Sequence, residues 1–87
     1  KNKKYVACIL AAQREYIIAL NKKYTRKGIM RQAEVDDQAL RNWEKCKHYL
    51  PLYVAYNMEE KLGEKSILFT NYLKKYWRMN EEGLPKT

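Results

Sequence analysis

The stretch IMRQAEVDDQALRNW, residues 29–43, places apolar side chains at Ile29, Ala33, Val35, Leu40 and Trp43, spaced 4, 2, 5 and 3 apart. A step of four is one helical turn and keeps Ile29 and Ala33 on one face. A step of two cannot stay on a helix face, so it crosses a sharp turn, with Val35 plugging the angle. The last step returns Leu40 and Trp43 to one face of a second helix. The pattern predicts two short helices packed at a steep angle. The second helix turns Asp37, Gln38, Arg41, Asn42 and Lys45 outward.

On the N-terminal side, Val6, Ile9, Leu10, Ile17, Leu20 and Tyr24 recur at three- and four-residue steps, which predicts a helix over 5–24 with one apolar stripe. Lys22 and Lys23 close it where cations suit the negative end of the helix dipole. Residues 1–4 read as a basic flexible arm. Thr25 is a suitable N-cap for a helix over 26–34, RKGIMRQAE. Gly28 costs that helix roughly 1 kcal/mol relative to Ala and is read as room for close helix packing. Asp36 is the expected N-cap of a helix over 37–50, with Leu40, Trp43 and Cys46 or Lys47 inward and Pro51 as its stop.

Pro51 also suits the first turn of a further helix over 51–62, which Gly63 ends. Ser66 is the expected cap of a last helix over 67–80, with Leu68, Phe69, Tyr72, Leu73, Tyr76 and Trp77 as its aromatic face. Gly83 and Pro85 mark a tail over 83–87. The expected fold is an all-α bundle of four to five helices in one domain: a three-helix unit over 5–50 and a helical pair over 51–82.

Length and composition agree. Eighty-seven residues make one small domain, able to bury about 60–65% of its unfolded surface. The chain is 46% hydrophobic and 32% charged, which is globular material, and three glycines with two prolines argue against a sheet. The opening KNKK, with no initiator Met, is what a piece of a longer protein is expected to look like. No signal peptide is visible, and no run reaches the 18 residues a membrane span requires. Cys8 and Cys46 both fall on apolar faces and are read as reduced, buried thiols, with a bridge between them as the alternative; the reduced reading leads to an expected reducing, intracellular setting.

The charge is lopsided. Nine bases in the first 31 residues face one acid, Glu15; from Gln32 onward nine bases meet nine acids. The whole net charge of +8 therefore sits in the first third. Such asymmetry points to a polyanion partner, most often nucleic acid.

These residues together resemble the helix-turn-helix of homeodomain-like DNA-binding domains, in the three-helix version found in phage small-terminase subunits, transposases and related phage regulators. The matching positions are Ile29, Met30, Ala33, Glu34, Val35, Leu40 and Trp43. QREYIIAL (13–20) is similar to the first helix of that domain, and Lys45 with Tyr49 continues the likeness. The resemblance covers roughly residues 5–50. Two positions depart from the family pattern: Met30 stands where a small residue is usual, and Glu34 where glycine is usual. Glycine is favoured there because the position often takes positive φ; Glu34 would adopt it at a cost of order 1 kcal/mol.

The resemblance implies a partner, double-stranded DNA, and a set of roles. Gln38, Arg41, Asn42 and Lys45 become the base-contacting residues, with Arg41 suited to guanine and Gln38 or Asn42 to adenine. Lys22, Lys23, Thr25, Arg26, Lys27 and Arg31 become the phosphate contacts, and Lys1–Lys4 would follow the backbone or enter a minor groove. Glu34, Asp36 and Asp37 oppose this reading, because carboxylates near phosphate repel it.

Two rival functions stay open. The aromatic last helices, above all Tyr72, Tyr76 and Trp77, could form an interface with a partner or a second copy. Tyr49, Tyr53, Tyr56 and those same residues could instead stack on the bases of a single strand or RNA. Enzyme chemistry is not expected. His48 is the lone histidine and lies two residues from Cys46, about 200° round a helix, so no nucleophile–base pair forms locally. Neither a metal nor a cofactor is called for.

Overall fold

The computed structural model describes residues 3–78, with side chains from Tyr5 onward. Lys1, the tail over 83–87 and the expected end of the last helix lie outside them. Five helices follow in order: α1 Lys3–Tyr24, α2 Arg26–Ala33, α3 Asp37–Glu44, α4 Leu52–Leu62 and α5 Phe69–Arg78. No strand occurs among the described residues. The all-α bundle expected from the sequence is the fold observed. Lys3 and Lys4, assigned above to the arm, already belong to α1.

The 22-residue α1 is the common support. It packs against α5, α3 and α2, while α2 also packs on α4. Its buried side chains are Ala12, Gln13, Tyr16, Ile17 and Leu20. They meet Ile29 and Ala33 from α2, Leu40 and Trp43 from α3, Ala55 and Met58 from α4, and Phe69 from α5 in one core. The inward face of α1 is thus centred later than the sequence pattern suggested. Val6, counted in the stripe, is exposed. Tyr16 lies at the middle, its ring 5.1 Å from Phe69 and 6.0 Å from Tyr72.

Two element boundaries differ from expectation, both because buried side chains bind backbone groups. The third helix was expected to run to residue 50; it ends at Glu44, well short of Pro51. Cys46 then takes φ 62°. Beyond it, Gln13 holds the chain. Its Nε2 donates to the carbonyls of Trp43 and His48, both at 2.8 Å, and its Oε1 accepts from the Leu50 N–H at 2.7 Å. Cys46, expected on a buried helix face, lies after the helix and is half-buried, as is Cys8; both thiols are free.

The second difference is at α5. Ser66 does not cap it, and the helix starts at Phe69. Carboxylates do the capping. Glu59 Oε2 accepts from the Phe69 N–H and from the Tyr16 hydroxyl, both at 2.8 Å. Glu64 Oε2 accepts from the Ser66 and Ile67 N–H groups at 2.9 and 2.7 Å. Its Oε1 accepts from Lys23 Nζ at 2.8 Å and from the Tyr24 hydroxyl. Gly63, the expected stop of α4, sits in the left-handed region at φ 67°, with the Glu64 N–H returning to the Glu59 carbonyl. On the far side, Glu15 accepts from Lys75 at 2.9 Å and Tyr76 at 2.6 Å, and Tyr5 stacks on Trp77 at 4.6 Å.

Burial by itself would raise the Glu64 carboxyl, but Lys23, Tyr24 and the two backbone donors outweigh it and hold it at about 2. The folded value lies below the unfolded one, near 4.5, so the stabilisation is present above pH 4.5 and is lost as pH falls from about 4.5 toward 2. Glu64→Gln is expected to lower stability by about 1–3 kcal/mol at pH 7, with the gap to wild type closing in that acid window; urea midpoints at pH 7 and pH 3 measure it. Gln13→Leu keeps the bulk but removes three hydrogen bonds and leaves the His48 carbonyl and the Leu50 N–H without a partner, and is expected to cost about 2–4 kcal/mol. Gln13→Glu should not restore it, because a carboxylate cannot donate to the Trp43 and His48 carbonyls.

Candidate nucleic-acid interface

The α2–turn–α3 unit is built from short-range rules. Thr25 caps α2, its Oγ1 accepting from the Gly28 N–H at 3.1 Å. A Cβ on Gly28 would lie 3.3 Å from that same Oγ1. The glycine therefore leaves room for the cap rather than for a neighbouring helix. At the other end, Glu34 takes φ 57°, ψ 45°, the left-handed conformation expected at this turn. Asp36 occupies the N-cap position of α3 in extended geometry, but its side chain makes no capping bond. Ile29, Ala33, Leu40 and Trp43 are buried and Val35 packs half-buried against them, so the spacing of the five apolar residues is satisfied in full.

On the outward face of α3, Gln38 is exposed and donates to Asn42 Oδ1 at 3.2 Å. Asn42 is half-buried and sits 3.4 Å from His48 Nδ1. Lys45 is exposed just beyond the helix. Arg41 is exposed and donates through Nε to Asp37 Oδ2 at 2.8 Å. The other oxygen of Asp37 lies 3.5 Å from Arg26 Nε, and Arg26 Nη2 lies 3.9 Å from Glu44. Arg41, Asp37, Arg26 and Glu44 thus form a chain of alternating charge running from α3 to α2 and back.

That chain engages Asp37, one of the three acids named at the turn. Asp37 and Glu44 lie against arginines, and Glu34 pairs with Lys61 at 3.3 Å. Asp36 alone is exposed with no ion pair among the described residues. The six residues read as phosphate contacts divide in two. Lys23 is held by Glu64, Arg26 by Asp37 and Glu44, and the Thr25 hydroxyl by its own helix. Lys22, Lys27 and Arg31 are exposed and pair with no carboxylate among the described residues. Lys27 and Arg31 stand one turn apart on α2.

The aromatic residues separate differently from the sequence reading. Tyr72 and Tyr76 are half-buried between α5 and α1, where they pack on the core. Trp77 is 36% exposed and stacked on Tyr5. Tyr5, the partner of Trp77 in that stack, is 54% exposed, and further outward aromatics are Tyr49, Tyr53 and Tyr56, at 55%, 69% and 50%, with Leu52 at 44%. Sequence reasoning passed over Gln13, Glu59 and Glu64. For Gln13 a signal exists: it stands four residues after Ile9 and four before Ile17, on the buried face of α1.

No helix among the described residues is long and apolar enough to cross a membrane. No group of His, Cys, Asp and Glu among them is arranged to hold a metal ion. Compared with protein-family models, curated proteins and solved structures, the chain matches none.

Glu34 bears the strain of a left-handed residue with a Cβ. Glu34→Gly is expected to stabilise the chain by about 1 kcal/mol, a rise in Tm of roughly 4–8 °C for a domain of this size. An unchanged Tm would mean that the exposed Lys61 pair offsets the strain.

Proposed function

We propose that the chain is a double-stranded DNA-binding domain that seats α3 in the major groove and holds the flanking backbone with Lys22, Lys27 and Arg31. One observation carries the reading: a short helix, a left-handed turn and a second short helix lean on α1 with Gln38, Arg41 and Lys45 exposed, and Lys22, Lys27 and Arg31 are exposed and pair with no carboxylate among the described residues. The concentration of net charge in the first 31 residues supports it. So does the pairing of Glu34, Asp37 and Glu44 with cations, which lessens the repulsion these acids would exert on phosphate.

A second reading rests on a different surface. Tyr49, Leu52, Tyr53 and Tyr56 form an exposed apolar group on and just before α4. Groups of this kind mark contacts with protein or with unpaired bases. Tyr72 and Tyr76 are half-buried against the core, while Trp77 stays exposed with Tyr5, so α5 offers an interface through Trp77 and α4 offers a second exposed apolar group.

Fluorescence anisotropy with labelled duplex and single-stranded DNA across a salt series tests both. Duplex binding that weakens with a log–log salt slope of roughly −4 to −6 corresponds to about five to seven phosphates. Lys27→Glu with Arg31→Glu should reduce it at least tenfold without changing the helical spectrum. Absence of duplex binding at about 50 mM salt overturns the first reading. Preference for the single strand, or self-association in sedimentation velocity, would favour the second.

A further inference from the structure

We infer that Asp37 is a specificity-determining positioning residue that presents Arg41 to a guanine. The inference rests on the DNA-binding reading above. Arginine has five N–H donors, one on Nε and four on the terminal nitrogens. In this structure the Nε donor is spent on Asp37 Oδ2 at 2.8 Å, one turn back on α3. What remains outward is the end edge carrying both terminal nitrogens. Two parallel donors on one edge match guanine, whose major-groove edge offers O6 and N7 as adjacent acceptors. Adenine offers one acceptor and one donor there, so the same edge discriminates against it.

The carboxylate is itself held. Asp37 Oδ1 faces Arg26 Nε at 3.5 Å, across the turn on α2. Arg26 is half-buried, and its Nε is shielded from solvent with no hydrogen bond of its own. Arg26 therefore restrains Asp37, and Asp37 restrains Arg41. An unrestrained arginine would lose rotamer freedom on meeting a base; here part of that loss is incurred on folding. The acid that looked like a liability for a phosphate-facing helix becomes the part that aims its reader.

The test is selection of wild-type chain on a randomised duplex library, followed by anisotropy of the selected site and of the same site with each guanine exchanged. One guanine is expected whose exchange weakens wild-type binding by about 5- to 150-fold. Arg41→Ala should erase that discrimination. Asp37→Ala should erase most of it while leaving affinity for unrelated duplex equal or higher, since a negative charge has gone. Asp37→Asn, which keeps an acceptor oxygen for Nε, should retain more discrimination than Asp37→Ala. Both positions are solvent-facing, and circular dichroism checks that the variants fold.

If Asp37→Ala keeps the wild-type ratio, or no guanine preference depends on Arg41, the inference is overturned while salt-dependent duplex binding still stands. If wild type binds no duplex at low salt, the DNA-binding reading falls and this inference with it.

Discussion

A buried amide, Gln13, is the constraint on which the candidate interface depends. It is wholly buried, and all three of its hydrogen bonds go to backbone groups at or beyond the end of α3: the Trp43 carbonyl, which it shares with the Cys46 N–H, the His48 carbonyl and the Leu50 N–H. A chain segment leaving a helix beneath other elements must satisfy its carbonyls and N–H groups or lose the cost of their desolvation. One side chain on α1 does this for the exit of α3 and the entry to Pro51. The end of α3 is therefore held by a residue 30 positions before Trp43 in the chain. Lys45 and Cys46, which an uninterrupted helix would carry on its surface and its inner face, lie outside it as a result.

The same logic governs the corner between α4 and α5. Glu59 and Glu64 are largely buried acids, yet neither lacks partners: hydroxyls, an ammonium and the free N–H groups at the start of α5 converge on them. Buried carboxylates with such donors act as caps and struts. Tyr16 and Tyr24 reach these acids from α1, so the long helix is tied by polar contacts both within its buried face and at its C-terminal end. Much of the tyrosine in this chain thus serves two purposes, filling volume with the ring and bonding with the hydroxyl.

Electrostatics then separates the surface into used and unused charge. Two of the five cations that the sequence offered for phosphate, Lys23 and Arg26, are drawn to carboxylates, and the sixth candidate, the Thr25 hydroxyl, caps its own helix. The unused ones, Lys22, Lys27 and Arg31, cluster about the end of α1 and along α2. The exposed pairs, Arg26 with Asp37 and Glu44 and Arg41 with Asp37, add little to stability. Their larger effect is on geometry, because they decide which donors point outward and which are already engaged. The proposed reading of duplex DNA and of guanine both follow from that division.

Local pattern determined a good deal. The five apolar positions from Ile29 to Trp43 set the angle of two short helices, because only one arrangement buries all of them. Thr25 and Gly63 act as the caps their side chains, or lack of one, dictate, whereas the left-handed turn at Glu34 is implied only by the likeness to helix-turn-helix domains, not by the spacing. The net charge and its position are properties of the composition alone. Tertiary structure decided the rest. A run of helix-compatible residues from Lys45 to Leu50 is not helical, because Gln13 binds its backbone from outside. Ser66 loses its cap to Glu64 for the same reason. Tyr76 faces inward while Tyr53 faces out, because α1 covers one and nothing in the described chain covers the other. Periodicity tells which residues share a face; only the neighbouring elements tell whether that face meets a core, a buried carboxylate or water.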